Sequence, residues 1–176
     1  MDAHVDSLQR RFFSQWWILY HLKHHGFNTE ELVWIYKTVI RPVFDYCAIV
    51  YHPLLTDDQD QLLEWLQRQA LKVIFGTEYT YTVMRQWANI QTLRQRRIEL
   101  SDKFAAKCAK SDRFGHWFRE NQSQRKSSRN GGEKYQEEFA RCQRYYNSPL
   151  FFMRRRLNGK QGLEYWARHR ERRARM

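Results

Sequence analysis

Apolar residues recur at helical spacing through the first two thirds of the chain. Val5, Leu8, Phe12, Trp16, Leu19 and Leu22 stand three or four apart, which places them on one face of a helix running from Val5 to His25. Gly26, able to take a positive φ, is the expected stop. Asn28 or Thr29 can cap the next helix. Glu30 and Glu31 are favourable in its first turn, and Leu32, Ile35, Tyr36 and Val39 follow at helical spacing. Pro42 removes one backbone donor, so a kink or restart is predicted there. The run from Val43 to Tyr51 is rich in β-branched and aromatic residues; its type is ambiguous, and the flanking pattern favours helix.

Pro53 ends that element. Thr56 with Gln59 forms a capping box for a helix that buries Leu62, Leu63, Leu66, Ala70, Val73 and Ile74 and stops at Gly76. Tyr81 to Ala88 predicts a short helix using Val83, Met84 and Trp87. Thr92 with Gln95 opens a longer one through Ile98, Leu100, Phe104, Ala105 and Cys108, ending near Ser111. Neither a hairpin signal nor a Gly-rich phosphate loop is present. The fold class is therefore all-α: a helical bundle of about five helices with a basic, partly disordered C-terminal extension.

The pattern changes after Phe118. Residues 119–132 carry Ser123, Ser127, Ser128, Gly131 and Gly132 among charges and read as a linker. In 133–176, Glu133 to Tyr146 predicts one more helix, with Tyr135, Phe139 and Cys142 on one side and Pro149 as its breaker. From Leu150 onward Phe151, Phe152, Leu157, Tyr165 and Trp166 are mixed with basic residues, and we expect little order there without a partner. The domains are thus 1–118, a linker at 119–132, and a basic segment at 133–176.

Charge sharpens this division. The net charge of +12 is uneven: 15 Lys/Arg stand against 13 Asp/Glu up to Phe118, and 16 against 6 from Arg119 to Met176. The second part has the composition of a polyanion-binding segment, although basic tails are often merely solubilising. Arg154, Arg155, Arg156 and Lys160 form its sharpest cluster, and guanidiniums match phosphate oxygens bidentately. A nuclear-import address competes for the same residues. Arg94, Arg96 and Arg97 form a second group, with Arg96 and Arg97 expected on the polar side of the turn. Surface ion pairs with Glu99 or Asp102 explain them equally well.

Other constellations favour plain readings. Asp57-Asp58 resembles a polymerase magnesium pair, but a capped helix begins there and its dipole favours acids. His21, His24 and His25 have spacings that zinc can use, yet they also suit a helix C-terminus, and no cysteine pair has ligand spacing. Cys47 beside His52 lacks any orienting group and reads as core. Trp16, Trp17, Trp34 and Trp65 read as packing first and base-stacking platforms second. No catalytic residue, metal site or cofactor is assigned. Cys47, Cys108 and Cys142 read as reduced thiols of an intracellular protein, nuclear or cytoplasmic. The apolar runs are too short for a membrane span.

One ordered set of motifs adds a family likeness. It comprises Thr29-Glu30-Glu31-Leu32, Ile35-Tyr36-Lys37, Arg41-Pro42-Val43-Phe44-Asp45-Tyr46, Val50-Tyr51-His52-Pro53, Leu66 to Lys72 and Ile74-Phe75-Gly76. Leu93 to Arg97, Lys103-Phe104-Ala105, Ser111 to Phe114, Asn147-Ser148-Pro149 and Arg154 to Gly159 continue it. In this order they resemble the region downstream of the catalytic palm in reverse transcriptases of non-LTR (LINE-like) retrotransposons. The resemblance implies a helical thumb and C-terminal region that helps hold template and primer, with RNA or an RNA–DNA hybrid as partner. It also implies a reverse-transcriptase palm as a possible partner in trans. The palm's own catalytic motifs are missing from this sequence, so RNA-directed DNA polymerase activity is implied for the parent family alone. A helical protein-interaction scaffold and an inert remnant of a decayed element are the alternatives.

Overall fold

The computed structural model describes residues 2–120, 134–136 and 142–159. The fold is all-α. The β pairing among the described residues is one isolated antiparallel bridge between Glu120 and Tyr135. The chain divides into two compact units, Met1–Ala48 with Leu55–Ile98, and Ile49–Leu54 with Glu99–Met176. The expected linker at 119–132 lies almost wholly outside the described residues, as does the segment from Lys160 to the end.

The first unit is built on α1 (Asp2–His24), α2 (Thr29–Ile35), α3 (Arg41–Asp45), α5 (Asp57–Phe75) and α6 (Tyr81–Ala88). On α1 the apolar stripe buries Val5, Leu8, Phe12 and Leu19, and its main contact is with α5. On α5 the buried set is Leu63, Leu66, Gln67, Ala70, Leu71 and Ile74. Each such leucine contributes roughly 1.5–3 kcal/mol by leaving water. Caps set the helix starts. Asn28 and Glu31 exchange side-chain and backbone hydrogen bonds at 2.9 Å each, and Thr56 with Gln59 does the same for α5. Gly76, at φ 101°, takes the left-handed backbone that ends α5.

Pro42 acts as its chemistry demands. Tyr36–Ile40 widens into a π-helical segment, and the Arg41 N–H reaches the Tyr36 carbonyl. The wider turn absorbs the missing Pro42 donor, and helix resumes as α3. The run from Val43 to Tyr51 is helical but broken. Tyr46 is extended and Cys47 left-handed at φ 54°, before α4 (Ala48–Tyr51) begins. Cys47 is exposed at this break, contrary to the core position expected for it.

A polar chain crosses the first unit's core. Tyr36 Oη donates to Gln67 Oε1 at 2.8 Å, and Gln67 Nε2 donates to Tyr81 Oη at 2.8 Å and to the Gln91 carbonyl at 3.0 Å. Tyr81 Oη in turn donates to Glu64 Oε2 at 2.6 Å. Burial pushes both tyrosine hydroxyls far above their ordinary pKa, with Glu64 raising Tyr81 further. Such a satisfied network fixes one arrangement of α5 against its neighbours.

In the second unit, Ala105 and Cys108 of α7 (Leu93–Ala109) pack with Phe118 and Met153. Two expectations are corrected here. Tyr135 is not helical: it pairs with Glu120, and its backbone exchanges two hydrogen bonds with the Asn158 amide at 2.9 and 3.0 Å. Residues 137–141 of that expected helix lie outside the described residues; the helix seen there, α8, is Gln143–Tyr146. The helix before Pro149 does end at Tyr146, as expected, but helix resumes at once: Pro149 opens α9 (Pro149–Leu157), where its missing N–H costs nothing. The stretch expected to lack order therefore starts with a packed helix that buries Phe151, Phe152 and Met153. Phe152 meets His52 edge to face at 5.3 Å.

Candidate nucleic-acid interface

The arginines singled out by the sequence occupy unlike positions. At the start of α7, Thr92 and Gln95 cap the helix reciprocally, which fixes the directions of the next three arginines. Arg94 is exposed; its N–H donates to Glu64 Oε1 at 2.8 Å and its Nη1 lies 3.4 Å from Asp60 Oδ2. Arg96 is half-buried and donates Nε and Nη2 to Asp45 Oδ2 at 3.3 and 3.2 Å. Arg97 was expected on the polar side of the turn, but it is completely buried and paired with Asp60. The cause is spacing. Arg97 follows Leu93 by four residues, on the face that packs inward, and Asp60 offers the only kind of partner that makes such burial tolerable.

The cluster on α9 is likewise turned inward. Arg154 is 6% exposed and donates Nε to the Trp117 carbonyl at 2.8 Å. Arg155 is 2% exposed, donates Nη1 to the Tyr146 carbonyl at 2.7 Å, and stacks its guanidinium 3.7 Å from the centre of the Tyr146 ring. Arg156 forms a two-point bridge to Asp102, Nε to Oδ1 at 2.9 Å and Nη2 to Oδ2 at 2.6 Å. That bond holds the Arg156 pKa above its ordinary value. To meet a phosphate, Arg97, Arg154 and Arg155 would have to leave these partners. Lys160 lies outside the described residues.

Asp57 and Asp58 open α5 directly behind Thr56, at the positive end of the helix. Among the described residues no group of three or more His, Cys, Asp or Glu is placed to hold a metal ion. No helix among them is long and apolar enough to cross a membrane.

The tryptophans depart most from expectation. Trp17, Trp34 and Trp65 were read as packing residues, but they are 59%, 66% and 41% exposed. Trp16 is half-buried. It lines a groove between α1 and α5 with Tyr20, Lys23, His24, Gln69, Lys72, Val73 and Thr77, enclosing about 630 Å³. Trp16 and Tyr20 lie one turn apart, with ring centres 6.3 Å apart and planes 27° from parallel. One turn of α5 from the groove-lining Lys72, Arg68 stands over the Tyr81 ring at 5.2 Å, and Arg85 stands over the same ring at 5.0 Å. Sequence reasoning missed this face, though it left a signal. Trp65, Arg68, Gln69 and Lys72 share the polar side of α5, where a tryptophan has no core to fill.

No protein-family model matches the chain, and neither the curated proteins nor the solved structures include a significant match to it.

Proposed function

We propose that the chain is a non-catalytic nucleic-acid-binding module, akin to the thumb and C-terminal region of a non-LTR retrotransposon reverse transcriptase. It binds RNA or an RNA–DNA hybrid through a basic surface. In this reading the bundle of about five helices is the thumb-like body, and the basic extension is a second contact. The observation that carries the reading is the lopsided charge, 16 Lys/Arg against 6 Asp/Glu from Arg119 to Met176. The ordered motifs that resemble the retrotransposon family supply the class of ligand. Of the seven cations first assigned to phosphate, the exposed Arg94 and the half-buried Arg96 and Arg156 are the described ones with solvent access.

The test is fluorescence anisotropy of the full chain with labelled single-stranded RNA and with an RNA–DNA hybrid across a salt series. Affinity should fall steeply as salt rises, because each phosphate contact releases counterions. Binding that is flat in salt, or absent at low salt, removes the reading.

A second reading is a helical scaffold that meets a protein partner, a reverse-transcriptase palm in trans among them. The exposed Trp17 and Trp34 favour it. A partner that binds stoichiometrically and quenches Trp34 fluorescence, with no nucleic acid bound, would select this reading over the first.

A further inference from the structure

We infer that the groove between α1 and α5 seats an unstacked base of a single-stranded nucleic acid, with its phosphates tracked by Lys72, Arg68 and Arg85. The inference rests on the nucleic-acid reading above and gives it a place in the fold different from the α9 arginines.

Three observations converge. The first is an aromatic wall: Trp16 and the 55%-exposed Tyr20 present near-parallel rings on a groove of about 630 Å³. Such rings take any base by its π-face, whereas a duplex keeps its bases stacked inside. The second is the sign of the charge. The groove is lined by Lys23, His24 and Lys72 and by no carboxylate. Lys23 Nζ donates to the Val73 and Ile74 carbonyls at 2.6 and 3.2 Å. It thereby offsets the negative C-terminal end of α5, and the charge of Lys72 is left over for a ligand.

The third is continuity. Lys72 and Arg68 are one helical turn apart on α5. Arg68 and Arg85 share the Tyr81 ring, so their guanidinium carbons lie within about 10 Å of each other. Among the described residues none of these three cations is paired with a carboxylate, whereas Arg94, Arg96, Arg97 and Arg156 all are. A line of unpaired cations leading to an aromatic groove is how a strand is held without base-specific hydrogen bonds.

The experiment compares, on the full chain, a twelve-nucleotide oligouridylate, an abasic strand of the same length, a blunt RNA duplex and polyglutamate. The base-bearing strand should bind more tightly than the abasic one. Tyr20→Ala should abolish that difference by weakening the base-bearing strand about tenfold. Lys72→Gln should weaken both strands and lower the salt slope by about one. Tyr145→Ala, an exposed aromatic of the second unit, should change neither, and thermal melts show whether each variant is folded.

Equal binding of base-bearing and abasic strands overturns the inference. So does a Tyr20→Ala protein that keeps the difference, a preference for the duplex, or polyglutamate that competes equally. Wild-type binding that the groove variants leave intact defeats the groove while the nucleic-acid reading stands. No binding of any strand at low salt defeats both.

Discussion

The two units spend their arginines differently. In the first, Arg94, Arg96 and Arg97 at the start of α7 face carboxylates of α3 and α5. In the second, Arg154 and Arg155 of α9 donate to backbone carbonyls, Arg155 also lies over an aromatic ring, and Arg156 bridges a carboxylate. A basic run in a sequence therefore marks two physical situations. One is a cation set against carboxylates; the other is a cation held in place by peptide carbonyl dipoles and a π-face. Among the described residues Arg68, Lys72 and Arg85 have no carboxylate partner, and they are spread over α5 and α6 rather than gathered in one basic run.

The largest expected effect breaks the first kind of contact. Arg97→Ala leaves Asp60 without its buried partner and should destabilise the protein by about 3–5 kcal/mol in urea unfolding. Asp60 keeps Arg94 3.4 Å away, so the lower end of that range is expected. Arg155→Ala tests the second kind. Losing a charged hydrogen bond and a stacked ring should cost about 2–3 kcal/mol, and Arg155→Lys should recover less than half because an ammonium cannot stack as a plane. Hydrogen exchange sharpens the contrast. Arg97→Ala should loosen amides of the first unit, and Arg155→Ala those of 99–120 and 142–159. The reverse pattern would mean that charge cancellation, not local packing, governs both units.

A smaller effect probes the polar chain of the first unit. Tyr36→Phe leaves Gln67 Oε1 without its donor and should cost about 1–3 kcal/mol. It also carries a pH signature. The folded pKa values of Tyr36 and Tyr81 lie above the ordinary 10.0. Their contribution is therefore complete below pH 10 and is lost as pH rises beyond it, because the unfolded chain ionises first. The slope approaches about 1.4 kcal/mol per pH unit for each tyrosine. Chemical unfolding between pH 9 and 11 should show this decline, shallower in Tyr36→Phe. The smallest effect belongs to Arg94→Ala. Its side chain is exposed, so the loss should stay below about 1 kcal/mol and shrink with added salt.

The elements were largely legible. Periodicity at Val5 to Leu22 and at Leu63 to Ile74, the two capping boxes at Thr56 and Thr92, and the stops at Gly26 and Gly76 each act within about one helical turn. The sequence alone therefore states them. The restart at Pro42 belongs with these, since a missing N–H is a local fact. The C-terminal part was legible only in pieces. Pro149 opens a helix and also ends one in the usual sequence signals, and the choice between the two depends on whether Phe151, Phe152 and Met153 find a core.

What the sequence could not state is the fate of each charge and each tryptophan. Arg97 and Arg155 look like surface residues because arginine usually is one, and their burial depends on Asp60 and on the Tyr146 carbonyl, which other parts of the chain bring to them. Trp65 looks like a core residue for the converse reason, and it stays outside because α1 and α6 cover other faces of α5. By itself the sequence determined an all-α chain, its main helix starts and stops, and a strongly uneven charge. The tertiary structure alone decided which cations are already partnered and which remain available, because pairing depends on distances between segments that local spacing does not encode.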